Sequence, residues 1–195
     1  MTTIVTTKAN NYAVMVADSG ITSDLMHPDM DKIVQNGTWL IGVVGEDRVC
    51  DVIQYTVKYP KVPQTLVGKP QKDWYAWLVT KVIPEMLTAI QQSNLHNKDA
   101  NTILGDSSVL LVTHGNAFLI TESLGVGLAE PYWAIGSGGQ LAMGSLAEKN
   151  FALEWKVKHA ELAKAAVNVA QKHDPFTRGK VSGYKSYPSG KIVSF

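Results

Sequence analysis

The sequence predicts an α+β fold in which antiparallel sheets pack against separate helices. Strands and helices arrive in blocks along the chain, whereas a doubly wound parallel sheet would alternate them strictly. The chain has 195 residues, of which 45% are hydrophobic and 18% are charged, as in an ordinary globular domain. Neither an internal repeat nor a low-complexity linker divides it. Residues 1–195 are therefore expected to form one domain.

The predicted strands are short apolar or β-branched runs bounded by turn residues. Asn36-Gly37 and His114-Gly115-Asn116 are hairpin-turn signals beside such runs. Strands joined by tight turns pair in antiparallel fashion. The predicted strands cover residues 3–8, 12–17, 39–44, 108–113, 117–121, 133–135 and 190–195.

The predicted helices lie where apolar residues recur at helical spacing. The first opens with acidic residues at 46 and 47, the second covers 73–92, and the third follows Gly139. The fourth has the clearest pattern and covers 154–172. Pro84 should kink or restart the second helix, because proline lacks the amide hydrogen that the helix interior needs.

Charge and cysteine content exclude several classes of function. Eighteen basic and 17 acidic residues leave a net charge of +1, which argues against a broad basic face for nucleic acid. Cys50 is the single cysteine, so an internal disulfide is excluded and a reducing compartment is favoured. The sequence has no apolar run of about 18 residues and no signal-peptide pattern. We expect a cytoplasmic protein with no membrane or nucleic-acid partner.

The N-terminus holds the best candidate for chemistry. Thr2 is small enough for Met1 to be removed in the cell, which would give Thr2 a free α-amine. Such an amine has a pKa of about 7.7–8.0, so it can act as the base for the adjacent hydroxyl. The sequence has no G-x-S-x-G motif, and its five histidines lack metal-ligand spacing. Gly136-Ser137-Gly138-Gly139 does not match the dinucleotide-binding spacing either.

Several short blocks, in order along the chain, carry a resemblance to a known family. They include the opening Thr2-Thr3-Ile4-Val5 and the run Ala134-Ile135-Gly136-Ser137-Gly138-Gly139. The chain resembles proteasome β-type subunits, and especially HslV-like threonine peptidases among the N-terminal nucleophile hydrolases, from Thr2 to about Gly179. The resemblance implies a four-layer αββα sandwich and a threonine endopeptidase that hydrolyses peptide bonds through an acyl-enzyme.

The resemblance also implies the roles of the nucleophile and its nearest partners. Thr2 would attack the scissile carbonyl, and the Lys32 ammonium would lie near its oxygen. Asp18 would hold that lysine charged and oriented. Gly42 would donate its backbone N–H to the developing oxyanion. Lys32 comes earlier than the family's usual spacing, so the loop before it is shorter.

A second group of residues is implied by the resemblance farther along the chain. Ser137, Asp174 and Thr177 would orient the Thr2 amine and relay its proton. Related peptidases sometimes bind a monovalent or divalent cation through carbonyls at the end of the last helix, here those of Gln171, Asp174 and Thr177. No other cofactor is expected.

The resemblance places the substrate between two strands. The backbones of Thr22 and Val44 would flank an extended peptide, and Ile21, Leu40 and Val44 would line the pocket for the residue before the cut. Since these side chains are apolar, the pocket is expected to prefer apolar or aromatic residues.

The resemblance further implies a homo-oligomer of stacked rings, with six or seven subunits in each layer. Peptides or unfolded proteins would be the substrates, and an ATPase of the HslU type could feed them into the chamber. Two alternatives would use the same fold. One is an N-terminal nucleophile amidase acting on a small amide, and the other is a catalytically inactive structural ring subunit.

Overall fold

The computed structural model describes residues 2–20, 30–95, 102–152 and 158–195. Within these ranges the strands form two antiparallel sheets. The strands are β1 (Thr3–Lys8), β2 (Ala13–Asp18), β3 (Ile33–Asn36), β4 (Trp39–Val44), β5 (Ser108–Thr113), β6 (Asn116–Ile120), β7 (Val126–Leu128), β8 (Tyr132–Gly136), β9 (Val181–Ser186) and β10 (Ile192–Ser194).

The helices lie before and after these sheet blocks in the chain. They are α1 (Asp47–Tyr55), α2 (Tyr75–Trp77), α3 (Ile83–Gln92), α4 (Gly139–Ala152) and α5 (His159–His173). A π-helical turn, Leu78–Val82, joins α2 to α3, and Pro84 lies in the first turn of α3. Proline is tolerated there because the first amides of a helix have no partner within the helix. The predicted restart at Pro84 is therefore confirmed.

The first sheet has the strand order β10-β9-β2-β1-β8, and the second has the order β3-β4-β5-β6-β7. In the first sheet, β1 lies between β2 and β8, with Ile4 opposite both Ala17 and Ile135. The start of β1 is thereby held between the end of β2 and the end of β8. This register brings three separate chain segments together at Thr2.

Three apolar layers show how the sheets and helices stack. Ile4, Met15 and Leu40 belong to a core between the two sheets. Val5 and Val14, which neighbour the first two in sequence, pack against α4 and α5 instead. Side chains alternate along a strand, so each sheet buries both of its faces. A third core fills the space between the second sheet and the helices α1 and α3.

The fold expectation is confirmed, because the layers run helix, sheet, sheet, helix. Two strands, β7 and β9, were not predicted from the sequence, and β3 was indicated only by the hairpin signal at Asn36-Gly37. The fourth predicted helix begins late, at His159, because Lys158 has an extended backbone with ψ of 110°. Residues 154–157 of that prediction lie outside the described ranges. Among the described helices, none is long and apolar enough to cross a membrane.

Candidate active site

The first two threonines send their hydroxyls to different carboxylate centres. Thr2 Oγ1 donates to Asp18 Oδ1 at 2.9 Å, whereas Thr3 Oγ1 lies 2.6 Å from Thr177 Oγ1. Thr2 and Thr3 are only 4% and 0% exposed, so these hydroxyls have little access to water as alternative partners. Adjacent residues of an extended chain point to opposite faces, which lets one short segment reach both centres.

Asp18 ends β2 and is almost completely buried. Besides the Thr2 hydroxyl, its carboxylate accepts the backbone N–H groups of Thr3 at 2.7 Å, Gly20 at 3.2 Å and Arg178 at 3.3 Å. A buried carboxylate is stable only when its oxygens are hydrogen-bonded, and these four donors meet that need. Asp18 thus fixes the position of the Thr2 side chain.

Asp174, directly after α5, is the final acceptor of a chain of hydrogen-bonded hydroxyl groups. Ser137 Oγ donates to Asp174 Oδ2 at 2.6 Å, and Thr177 Oγ1 donates to the same oxygen at 2.5 Å. Since the Thr177 proton is used in this bond, Thr3 Oγ1 must donate to Thr177. The Thr3 oxygen in turn accepts the Gly138 N–H at 3.1 Å. The result is a directed chain of donors that ends on one carboxylate.

The protonation state of Asp174 follows from these bonds. Burial raises the pKa of this carboxyl, but the hydrogen bonds from Ser137, Thr177 and the Phe176 N–H outweigh burial and hold the pKa below its usual value. Asp174 is therefore a carboxylate at neutral pH and accepts hydrogen bonds from the hydroxyls around it.

Two glycines between the end of β8 and the start of α4 allow this close approach. Gly136 has φ of 98°, and a Cβ there would overlap the carbonyl oxygen of Thr2. A Cβ on Gly138 would overlap Thr3 Oγ1 and lie 2.8 Å from Thr177 Oγ1. Between them, the Ser137 N–H donates to the Thr2 carbonyl at 3.0 Å. The glycine-rich block therefore joins the two carboxylate centres.

The structure does not bring Lys32 to Asp18. Both side chains lie in described ranges, and no ion pair joins them. The Lys32 carbonyl accepts the Gln54 side-chain amide at 3.0 Å, which ties this residue to α1. Burial raises the pKa of the Cys50 thiol on α1 to about 11, and the Lys32 charge partly opposes that rise. The expected Asp18–Lys32 pair is thus replaced by neutral donors, and a catalytic role for Lys32 stays a prediction.

Gly42 lies inside β4, where it pairs with Ile33 on one side and Leu110 on the other. A Cβ there would lie 3.0 Å from side-chain atoms of Ile4 and Met15, so the close approach of the two sheets explains the glycine. The backbone N–H of an interior strand is normally used by the sheet itself. The oxyanion role of Gly42 remains a prediction, and its surroundings give no added support.

Only part of the expected substrate pocket can be placed. Leu40 is fully buried in the core between the sheets, so it borders no open pocket in the described residues, contrary to expectation. Val44 is half-buried at the end of β4 and on the same face as Leu40, nearer the end of the strand. Ile21 and Thr22 lie outside the described residues.

The cation expectation receives no geometric support. The Asp174 carbonyl accepts the Thr177 N–H at 3.2 Å, so one of the three proposed ligands is used by its own turn. The Gln171 side chain reaches past them to the Gly179 carbonyl at 2.9 Å. No step below depends on a cation.

Sequence reasoning missed three contributors to the site. Thr3 bonds through its hydroxyl, and Gly20 and Arg178 bond Asp18 through their backbone amides. A Cβ on Gly20 would overlap the Arg178 backbone, which explains the glycine. The repeated Thr-Thr at the N-terminus was a usable signal for Thr3. Gly20 and Arg178 could not be predicted in this way, because any residue type can donate a backbone N–H.

Comparison with known proteins gives matches only at the level of structure. No protein-family profile matches the sequence, and no curated protein is similar to it. The fold is similar to that of Thiobacillus denitrificans BPH, with a TM-score of 0.73, 14% identity and coverage of 97% of this chain and 100% of that one. The same protein in complex with epoxomicin matches with a TM-score of 0.71 and 14% identity over 95% and 98% of the two chains.

Eukaryotic HslV from Trypanosoma brucei is similar as well, with a TM-score of 0.65 and 14% identity over 95% of this chain and 99% of that one. Agreement over nearly the full length of both chains shows that the αββα fold is shared. The resemblance to HslV-like proteins is therefore confirmed at the level of the fold.

Proposed function

We propose that this protein is a threonine-type peptidase in which Thr2 is the nucleophile. The observation that carries the proposal is the chain of hydrogen bonds that links Thr2 to three other segments of the chain. The Thr2 hydroxyl bonds Asp18, its carbonyl bonds the Ser137 amide, and Ser137 bonds Asp174. A packing role alone would be served by apolar side chains, whereas this network is polar, is buried at Thr2, Asp18 and Asp174, and reaches the surface at Ser137.

The proposed reaction begins once Met1 has been removed and the Thr2 nitrogen is a free amine. The amine takes the hydroxyl proton as Thr2 Oγ1 bonds to the substrate carbonyl carbon. The carbon–nitrogen bond then breaks, and the proton passes to the leaving nitrogen. Water, with the amine again as base, hydrolyses the ester and restores the threonine. Asp18 orients the hydroxyl, and the Asp174 carboxylate supports the protonated amine through Ser137.

An intact-mass measurement tests the first requirements. We expect the purified protein to lack Met1 and to gain the mass of one epoxomicin per chain after incubation with that compound. Thr2→Ala should gain none, whereas Thr88→Ala, which changes an exposed threonine of α3, should react like the wild type. Retention of Met1 together with an unmodified chain would overturn the proposal.

Peptide hydrolysis tests the mechanism. Fluorogenic peptides should be cleaved by the wild type, more slowly by Thr2→Ser, and not by Thr2→Ala, because serine keeps the hydroxyl and alanine removes it. Equal activity in the three proteins would remove Thr2 from the reaction. Hydrolysis restricted to small amides would favour the amidase alternative.

The proposed peptidase is also expected to assemble. Stacked rings of six or seven subunits per layer would enclose the active sites, and an ATPase could supply unfolded chains. Native mass spectrometry at micromolar concentration measures the subunit number directly. A monomer under these conditions would contradict the ring.

A further inference from the structure

The free edge of β8 borders an open groove beside the candidate active site. In the first sheet β8 pairs with β1 on one side, and no strand in the described ranges pairs with its other side. The groove has a volume of about 460 Å³ and runs along Trp133–Gly136, with Ser108 of β5 and Gln140 and Met143 of α4 as further walls. An unpaired strand edge presents backbone N–H and C=O groups that can bind an extended peptide.

One end of the groove is Gly136, which lies next to Thr2. Gly136, at one end of β8, lies opposite Thr3, and a Cβ on it would overlap the Thr2 carbonyl oxygen. Asp18 ends β2, the other neighbour of β1, and therefore lies on the opposite side of Thr2 from β8. A peptide substrate bound with its scissile bond at Thr2 extends away from the nucleophile in two opposite directions. The β2 side and the β8 side provide those two directions.

We propose that the β8 edge binds the leaving-side half of the peptide substrate as an added strand, an inference that rests on the proposed peptidase function. The half that stays bonded to Thr2 lies on the β2 side. When the carbon–nitrogen bond breaks, the nitrogen takes a proton and becomes the new amino terminus of the half held by β8. Until that half departs, water is kept from the β8 side of the ester.

Trp133 is the specificity-determining residue of this groove. Its side chain is 37% exposed, so more than a third of this large aromatic group is open to solvent and available to a ligand. It lies three residues from Gly136, which corresponds to about 10 Å along a strand. Three residues of extended substrate span the same length. Trp133, with Met143 nearby, should therefore select a large apolar side chain at the third position after the cut.

Internally quenched peptides test this selection. The series keeps one acyl half and places a single Phe at the first, second or third leaving-side position, with Gly at the other two. For the wild type we expect kcat/KM to rise about five- to tenfold with Phe at the third position, and less at the others. In Trp133→Ala the preference should fall below about twofold, and Tyr55→Ala, which removes an exposed aromatic of α1, should keep it.

A second measurement separates selection from folding and from the peptidase proposal. Peptides whose leaving group is an aminocoumarin have no leaving-side residues, so Trp133→Ala should hydrolyse them, and react with epoxomicin, at wild-type rates. Equal losses on both substrate types would assign Trp133 a structural role and overturn the inference. A wild type that neither cleaves nor forms the adduct would instead refute the peptidase function.

Transfer of the acyl group to added amines gives an independent test. An amine bound at the β8 edge can attack the Thr2 ester in place of water, forming an amide and releasing Thr2 with its proton. Gly-Gly-Phe-amide should be a better acceptor than Gly-Gly-Gly-amide for the wild type, and the two should be equal for Trp133→Ala. Equal acceptors already in the wild type would overturn the inference.

Discussion

Asp18 and Asp174 are both buried beside the N-terminal threonines, yet their surroundings differ in kind. Three of the four donors to Asp18 are backbone amides, whereas Asp174 accepts two hydroxyls and one amide. Backbone amides are fixed by the fold, but a hydroxyl can rotate and exchange its proton. The Asp18 centre is therefore suited to holding Thr2 still, whereas the hydroxyls at Asp174 are free to rotate and change partners.

The difference also shows in how each centre is joined to the fold. Asp18 is bonded to segments that flank it in the first sheet and to the turn after α5. The Asp174 centre depends on close contact between Gly138 and α5, where a Cβ on Gly138 would lie 2.7 Å from the Ala170 Cβ. Loss of that contact should disturb the hydroxyl chain while leaving the Asp18 amides in place.

The largest expected effect on stability comes from filling this contact. Gly138→Ala should lower the free energy of unfolding by about 3 kcal/mol, because the added methyl meets Thr3, Thr177 and Ala170 at once. Gly144→Ala is the matched control, since its position in α4 is open and alanine favours helix by about 1 kcal/mol. Urea unfolding at one protein concentration measures both, and equal stabilities of the two variants would contradict the packing argument.

Next in size is the loss of the Asp18 carboxylate. Asp18→Asn replaces an acceptor oxygen with a donor and leaves buried N–H groups unpaired, at a cost of about 2 kcal/mol. Peptide hydrolysis should fall as well, because the Thr2 hydroxyl loses its fixed orientation. Asp51→Asn, on the exposed face of α1, should change neither unfolding nor hydrolysis. If Asp18→Asn unfolded and hydrolysed peptides like the wild type, the carboxylate would not be needed to hold Thr2, and this prediction would be contradicted.

The next prediction concerns how the free energy of unfolding depends on pH when the Asp174 carboxylate is present or removed. Because the folded-state pKa of Asp174 is lowered, the stabilisation it provides is complete above the unfolded-state pKa of about 3.9 and is lost as pH falls through the folded value. In Asp174→Asn, unfolding free energy should fall less steeply below about pH 4, by at most about 1.4 kcal/mol per pH unit. Urea titrations from pH 6 to pH 2.5 measure the slope, and parallel curves for the two proteins would contradict the assignment.

The smallest effect is expected from Thr177→Val. Valine keeps the shape but removes the hydroxyl between Thr3 and Asp174, which should cost about 1 kcal/mol. If protons pass along the chain of hydroxyls, the rate of peptide hydrolysis should fall by more than the small loss of stability would cause. Thr88→Val, on the surface of α3, serves as the control for β-branched packing. An unchanged rate in Thr177→Val would restrict the Asp174 centre to a structural role.

Much of the fold could be predicted from local patterns, and the exceptions have physical causes. β9 contains Gly183 and mixed polar residues, yet pairing with all six residues of β2 makes it a strand. β7 has three residues and exists only because β6 offers it an edge. Lys158 looked helical by composition, but its backbone is extended and the helix starts one residue later. Strand pairing across long sequence separations is invisible to a local window.

The candidate site was also predicted unevenly. The family resemblance implied roles for five residues that hydrogen bonds link in the structure, namely Thr2, Asp18, Ser137, Asp174 and Thr177. Leu40 was expected to line a pocket, but it is fully buried because its face of the second sheet packs against the first sheet. A position in a strand pattern gives the face of a residue, not what covers that face.

The sequence by itself determined most of the strands and helices, because side-chain type and periodicity are local properties, and its resemblance to HslV-like proteins supplied the candidate site residues. Tertiary structure alone decided that Asp18 bonds amides and the Thr2 hydroxyl with no ion pair to Lys32, that Thr3 continues the Asp174 hydroxyl chain, and that β8 keeps a free edge. These outcomes depend on register and on the contact of segments that are separated in the sequence, by 16 residues for Thr2 and Asp18 and by 174 for Thr3 and Thr177. Only the folded chain fixes such contacts, since they are set by packing of whole layers.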